Sequence, residues 1–160
     1  MRRVAEAGRR GDRIRSDCWV QVELCADGGL ELRVRSKVEA MYGEAVRTTC
    51  RTVLEALDVK DATVTVEDTG ALDYVIAARL EAAVKRAGVG SGTEFLPAPG
   101  PGFSARTTRE RFRRSRLYLP GNEPKYFLNA SLHTPDGIIL DLEDAVAPPE
   151  KDTARLLVRN

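Results

Sequence analysis

Residues 64–87, VTVEDTGALDYVIAARLEAAVKRA, carry the strongest local constraint in the chain. Val64 and Val66 alternate with polar neighbours, and the run stops at Glu67-Asp68-Thr69-Gly70. Leu72, Ile76, Leu80 and Val84 then recur at helical spacing. Asp68, Thr69 and Gly70 are all N-cap residue types, and Asp73 sets a carboxylate in the first turn, where the helix dipole favours it. The expectation is a strand turning sharply into a packed helix.

Upstream, Val20, Val22 and Leu24 share one side of an alternating run and Asp27-Gly28-Gly29 signals a tight turn. Leu30, Leu32 and Val34 then alternate with Glu31, Arg33 and Arg35, so the two runs read as a β-hairpin with one wet face. Ser36 followed by Glu39 has the form of a capping box. The helix it opens, ending near Asp58, places Val38, Met41, Tyr42, Ala45, Thr49, Val53 and Leu57 on one face. The order β-β-α-β-α predicts a small α+β domain over residues 12–87, with its helices on one face of the sheet. Residues 1–11 are rich in arginine and read as a basic, disordered, solvated tail, since Glu6 and Asp12 interrupt them and no amphipathic face is visible.

Residues 88–113 contain Gly88, Gly90, Gly92, Pro97, Pro99, Gly100, Pro101 and Gly102, the composition of a linker. The basic run from Thr107 to Arg116 reads as a solvated helix or as a contact to an anionic cofactor. Beyond it, residues 114–160 predict β-α-β-α. A strand runs from Arg116 to Leu119 and ends at Pro120-Gly121-Asn122. A helix from about Glu123 to Ser131 follows, then a turn at Pro135-Asp136-Gly137. Ile138 to Leu140 read as a buried parallel strand ending in Asp141, Leu142, Glu143 and Asp144. A last helix after Pro148-Pro149 has Ala154, Leu156 and Leu157 inside. Alternation points Asp141 and Glu143 the same way.

Composition excludes several classes. Net charge is +1, which gives no push towards nucleic acid or a membrane, and no apolar run is long enough to span a bilayer. The three cysteines (Cys18, Cys25, Cys50) are odd in number and unpaired in spacing, which argues against a disulfide framework and fits a reducing cytoplasm. Cys18 opens a strand with no partner motif and reads as a half-buried structural thiol. His133, the only histidine, reads as a loop residue.

Two resemblances organise these pieces. Asp68, Gly70, Ala71, Leu72 and Asp73, followed by Ala78-Arg79-Leu80-Glu81-Ala82, resemble the D-x-G-A-L-D and R-A-R-L-E-A signature of the citrate lyase gamma subunit, an acyl carrier family of mixed α/β fold. RRSRLYLPGN, GIILDLEDAV and EKDTAR, in that order, resemble the N-terminus of the citrate lyase beta subunit and of related coenzyme A-ester lyases of the HpcH/HpaI aldolase-like, TIM-barrel kind. The first resemblance implies a phosphoribosyl-dephospho-coenzyme A joined by a phosphodiester to a serine ahead of the first strand. The matching position is Ser16, before Asp17. This chain reads Ile14-Arg15-Ser16-Asp17 where the family reads Glu-Ser-Ser/Gly-Asp, so a one-residue gap is needed, and a degenerate, unmodified carrier also fits. The second resemblance implies a magnesium-assisted cleavage of citryl thioester to acetyl thioester and oxaloacetate. It places Asn122, Asp141, Glu143 and Asp144 on the active-site face, with Glu143 and Asp144 bonding the metal's waters. Direct metal ligands lie outside these residues, so no catalytic set is complete here.

A whole barrel needs roughly 250 residues. The expectation is therefore a fragment, a truncated reading frame or a chain completed by a partner, inactive alone as a lyase and packing loosely or against another chain. The resemblances imply as partners the citrate lyase alpha and beta subunits, or the rest of the barrel, and a prosthetic-group transferase. They leave open a non-catalytic carrier or assembly subunit of the malonate decarboxylase kind, and a coenzyme A-ester lyase with an unmodified carrier-like domain.

Overall fold

The computed structural model describes residues 3–97 and 108–160. The first module is a four-stranded sheet covered on one face by two helices. Its elements are β1 (Arg3–Gly8), β2 (Cys18–Leu24), β3 (Leu30–Ser36), α1 (Glu39–Ala56), β4 (Ala62–Asp68) and α2 (Asp73–Ala87). The strand order is β1-β2-β4-β3, with β1 and β4 antiparallel to β2 and β3 parallel to β4. β4 is central because one of its faces, Ala62, Val64, Val66 and Asp68, is buried along its whole length. Val20 and Val22 of β2 meet it, and Val53, Leu54 and Leu57 from the end of α1 with Ile76, Leu80 and Val84 of α2 close the core. The architecture is α+β, as the sequence pattern requires.

Three local expectations are corrected. The basic N-terminus is not a solvated tail over its length: residues 3–8 pair with β2 from Arg3↔Leu24 to Gly8↔Trp19, and Ala7 is buried. β2 and β3 do not form a hairpin. The Gly29 amide donates to the Asp61 carboxylate (2.9 Å) and its carbonyl accepts from Ala62 (3.2 Å), which carries the chain past β4 to the far edge of the sheet. β3, α1 and β4 then form a parallel crossover. The Ser36 capping box is absent. The Ser36 hydroxyl donates to Asp68 across the sheet (2.6 Å) and accepts from the Val38 amide, Glu39 pairs with Arg47, and α1 starts without a side-chain cap. The buried face of α1 is accordingly Gly43, Val46, Cys50, Val53 and Leu54, while Met41 and Tyr42 face solvent.

α2 begins one turn later than its cap residues suggested. The Asp68 carboxylate accepts from the Ala71 amide (2.7 Å), but the helix starts at Asp73, with Leu72 exposed. Gly88 closes it in a left-handed conformation (φ 87°), which glycine adopts without penalty.

The second module contains β5 (Arg116–Pro120), α3 (Pro124–Asn129) continued by a 3-10 turn (Ala130–His133), β6 (Gly137–Asp141) and α4 (Lys151–Arg159). β5 and β6 are parallel, in register from Arg116↔Gly137 to Pro120↔Asp141. β6 is not buried: Ile138 is 47% exposed, and Ile139 and Leu140 are half-buried. The expected helix over 107–116 is missing from residues 108–115, which carry no regular structure, while residues 98–107 of the linker, including Pro99, Gly100, Pro101, Gly102 and Thr107, lie outside the described residues.

The expectation of loose packing, or of packing on another chain, is corrected for α4 alone, since β6 keeps apolar surface exposed. α4 docks on α2 of the same chain: Leu157 seats against Val75 and Ala78, with Tyr74 and Phe127 packed beside them. Arg86 near the end of α2 pairs with Asp152 at the start of α4 (2.6 Å). Arg159 at the end of α4 reaches Glu81 (2.6 Å), and Asn160 reaches the Tyr74 carbonyl, so the helices run in opposite senses. Arg9, just past β1, ties the seam to Glu123 and Glu150.

Removing residues 1–9 tests the strand against the tail. The deletion strips the edge from β2 and should lower Tm by several degrees, given that about 1 kcal/mol moves Tm by roughly 2–4 °C in a chain this size. A solvated tail could be removed without a shift.

The seam is also acid-sensitive. Burial pushes the Glu81, Glu123 and Asp152 carboxyls up, but their cationic partners outweigh it and hold all three below their ordinary values of 4.5, 4.5 and 3.8. The partners are Arg159 and Lys85, Arg9 and Lys125, and Arg86, respectively. A depressed folded value stabilises fully above the ordinary value and loses that stabilisation as pH falls through the folded one. Acidification from neutral to about pH 3 should therefore raise amide exchange in α4 before it does so in β4.

Candidate functional site

Ser16 sits in the lead-in to β2, half-buried and in the left-handed region at φ 55°. Its position is set by its backbone: the Ser16 amide donates to the Thr69 carbonyl (3.2 Å), and the Thr69 amide and hydroxyl both donate to the Asp17 carbonyl (3.1 and 2.6 Å). The β2–β4 pairing thus runs on past Asp68 and fixes the serine beside the Thr69-Gly70 turn that precedes α2. Among the described residues no hydrogen bond holds the Ser16 hydroxyl.

Directly beneath lies a buried ion pair that the sequence reading did not single out. Arg79 is 1% exposed and clasps Asp17 with two bonds, Nε to Oδ1 (3.0 Å) and Nη2 to Oδ2 (2.9 Å). Asp17 Oδ1 also accepts from the Cys18 amide (2.8 Å). The remaining Arg79 donors cross to the second module, Nη2 to the Asn122 carbonyl (3.1 Å) and Nη1 to the Thr153 hydroxyl (3.2 Å). The signal was legible in part: Arg79 and Glu81 interrupt a helix that is otherwise apolar on two sides, and such charges need partners when buried.

In the second module the structure separates the sequence-predicted acids. Asn122 is buried, and its amide donates to Glu150 (2.9 Å). The strand ends at Asp141, whose carboxylate folds back onto the Glu143 and Ala145 amides (2.7 and 3.2 Å). Alternation therefore does not carry on to Glu143, and Asp141 acts as a loop clasp. Glu143 and Asp144 are exposed, and Lys151 binds the Leu142 and Glu143 carbonyls (2.9 and 2.6 Å). Among the described residues no group of three His, Cys, Asp or Glu side chains could hold a metal ion. The direct magnesium ligands implied by the resemblance lie outside these residues.

Cys18 and Cys50 are not poised as nucleophiles. Burial pushes the Cys18 thiol well up, and burial holds the Cys50 thiol at about 12, so both stay protonated at neutral pH. Cys18 is fully rather than half-buried.

With this geometry in place, the comparisons with known proteins divide at the linker. The family described as "Malonate decarboxylase delta subunit (MdcD)" matches residues 10–87, and the family described as "HpcH/HpaI aldolase/citrate lyase" matches residues 114–160. The citrate lyase acyl carrier protein of Vibrio cholerae serotype O1 is 51% identical over 72 residues, which cover 45% of this chain and 74% of that protein. The chain belongs to the citrate lyase acyl carrier protein family. An Enterobacter carrier of the same name is 44% identical over 72 residues, covering 45% of this chain and 73% of that protein. The citrate lyase subunit beta of Haemophilus influenzae is 52% identical over 48 residues, which are 30% of this chain but only 16% of that subunit. A region of this family is thus joined in one chain to a segment similar to part of a citrate lyase beta subunit.

Arg79 can be tested directly. Arg79→Met leaves the Asp17 carboxylate buried and unpaired and should destabilise the chain by roughly 3–5 kcal/mol. Adding Asp17→Leu removes the orphan charge and should recover part of that loss in urea unfolding.

Proposed function

We propose that the chain is the acyl carrier component of a citrate lyase, bearing its acyl group on a prosthetic group joined to Ser16. The observation that carries this reading is the placement of Ser16. It lies one residue from the family's attachment point under strict alignment, which falls on Arg15, on a backbone fixed by Thr69, with a hydroxyl that no described side chain occupies. On this reading a phosphoribosyl-dephospho-coenzyme A is attached there. Such a group supplies a terminal thiol that holds acetyl or citryl units as thioesters. The protein's own part is to present one hydroxyl on a rigid corner, with Asp17 turned inward to Arg79 and away from the hydroxyl's reaction. We read the chain as carrier to residue 87, connector to residue 113 and lyase-barrel start from residue 114.

The partners in this reading are a prosthetic-group transferase, the citrate lyase alpha and beta subunits, or the remainder of the barrel. The cleavage of citryl thioester, with its magnesium ion, belongs to residues beyond the 47 that match the lyase family. The compartment is the cytoplasm; among the described residues no helix is long and apolar enough to cross a membrane. One observation favours a second reading: the family that matches residues 10–87 is described by malonate decarboxylase, so a carrier serving a decarboxylase is the alternative.

The test is the intact mass of the protein co-expressed with the transferase, followed by peptide mapping. A phosphoribosyl-dephospho-coenzyme A increment on the peptide containing Ser16, lost in Ser16→Ala, is expected. An unmodified Ser16 under conditions that load the Vibrio cholerae carrier would overturn the reading.

A further inference from the structure

The seam between the modules is built around one end of the lyase segment. Pro120 ends β5, and the turn that follows it, Gly121-Asn122, supplies the carbonyl that Arg79 holds at 3.1 Å. In barrels of this kind the active site gathers at the C-terminal ends of the strands. The same guanidinium holds Asp17, the neighbour of Ser16, at 2.9 Å. One buried side chain therefore joins the residue next to Ser16 to the functional end of a barrel strand.

The surrounding contacts form a matched surface. Along the outer side of α2, Arg86 faces Asp152, Glu81 faces Arg159, and Val75 and Ala78 receive Leu157 between them. Beyond the helix, Arg9 faces Glu123 and Glu150. These ion pairs match in sign, and both carrier and lyase segment contribute cations and anions to them.

We propose that the outer face of α2, centred on Arg79, is the docking surface of the carrier for a lyase barrel, and that it seats Ser16 beside the C-terminal end of the barrel's first strand. The significance of that seat rests on the reading of Ser16 given above. The partner it fits is the opening β-α-β-α unit of a lyase subunit, recognised by an acid at the start of the docking helix, an apolar residue midway and a cation at its end. In this chain the partner is supplied in cis.

Spin labels at position 16 and on β5 test the seat in the unmodified full chain, as Ser16→Cys and Tyr118→Cys in a Cys25→Ser background. Cys18 and Cys50 are buried and Tyr118 is exposed. A single narrow distance distribution is expected from double electron–electron resonance. Leu157→Asp should abolish the narrow component and Arg86→Asp, which sets two carboxylates together, should broaden it, while amide protection in β2 and β4 is retained. Arg86→Asp combined with Asp152→Arg should restore it. A broad distribution in the otherwise native chain, or a narrow one in both Leu157→Asp and Arg86→Asp, overturns the seat. Since no modification is involved, a failed mass shift at Ser16 and a failed seat are separate results.

Discussion

Everything in this structure meets at the Arg79–Asp17 pair. A charge taken out of water is costly unless its partner has matching geometry and its remaining donors are satisfied. Here the guanidinium fork makes two parallel bonds to one carboxylate, and its other donors end on Asn122 and Thr153. No buried side-chain polar atom is left without a partner among the described residues. The pair fixes α2 against the strand lead-in, and so fixes the corner that carries Ser16. It also explains the short side chains around it: alanines at 77, 78, 82 and 83 let α2 approach the sheet on one side and α4 on the other.

A helix buried on all sides needs cover on all sides. The sheet and α1 cover half of α2, and without α4 the other half would expose Val75 and Ala78 beside Glu81. The second module has the reciprocal problem. Two parallel strands cannot enclose a core, and the apolar stripe of α4, Ala154 and Leu157, finds burial on the carrier helix. Each module supplies what the other lacks, which is why the pairing is specific in charge as well as in apolar surface. The cost stays visible on the far side, where Tyr118, Leu128, Leu132 and Ile138 remain exposed.

What could be read from the sequence was what is local. The strand, turn and helix at residues 64–87 and the β-α-β-α order after residue 114 follow from short-range periodicity, and both are present. The errors came where a distant residue decided the outcome. Asp61 drew Gly29 away from a hairpin, and Asp68 took the Ser36 hydroxyl that would have capped α1. β1 was hidden because its inward residues, Ala5 and Ala7, are small and lie between arginines, so its alternation carried little hydrophobic contrast. At the site, motif position picks out Ser16 and Asn122 and includes Arg79 within a signature, but it does not show that Arg79 is buried against Asp17. Nor does it show that the Asp141 carboxylate accepts from the Glu143 and Ala145 amides, a local bond open to any carboxylate at a strand end.

The division of labour in the pair bears on how a carrier can use such a seam. A flexible connector alone raises the local concentration of one module at the other, on the order of millimolar, but it sets no orientation. The seam sets orientation, and its central charge is neutralised within the carrier itself. When the modules part, Arg79 keeps both bonds to Asp17 and exposes only the donors that served Asn122 and Thr153, which water can satisfy. Glu81, fully buried, keeps Lys85 as a partner when Arg159 leaves, and the Arg86–Asp152 pair is partly solvated, with the two side chains 30% and 49% exposed. Exposed pairs of that kind contribute little each. The surface can therefore be exacting about the partner it admits while remaining weak enough to release it. A carrier that must visit more than one site needs both properties.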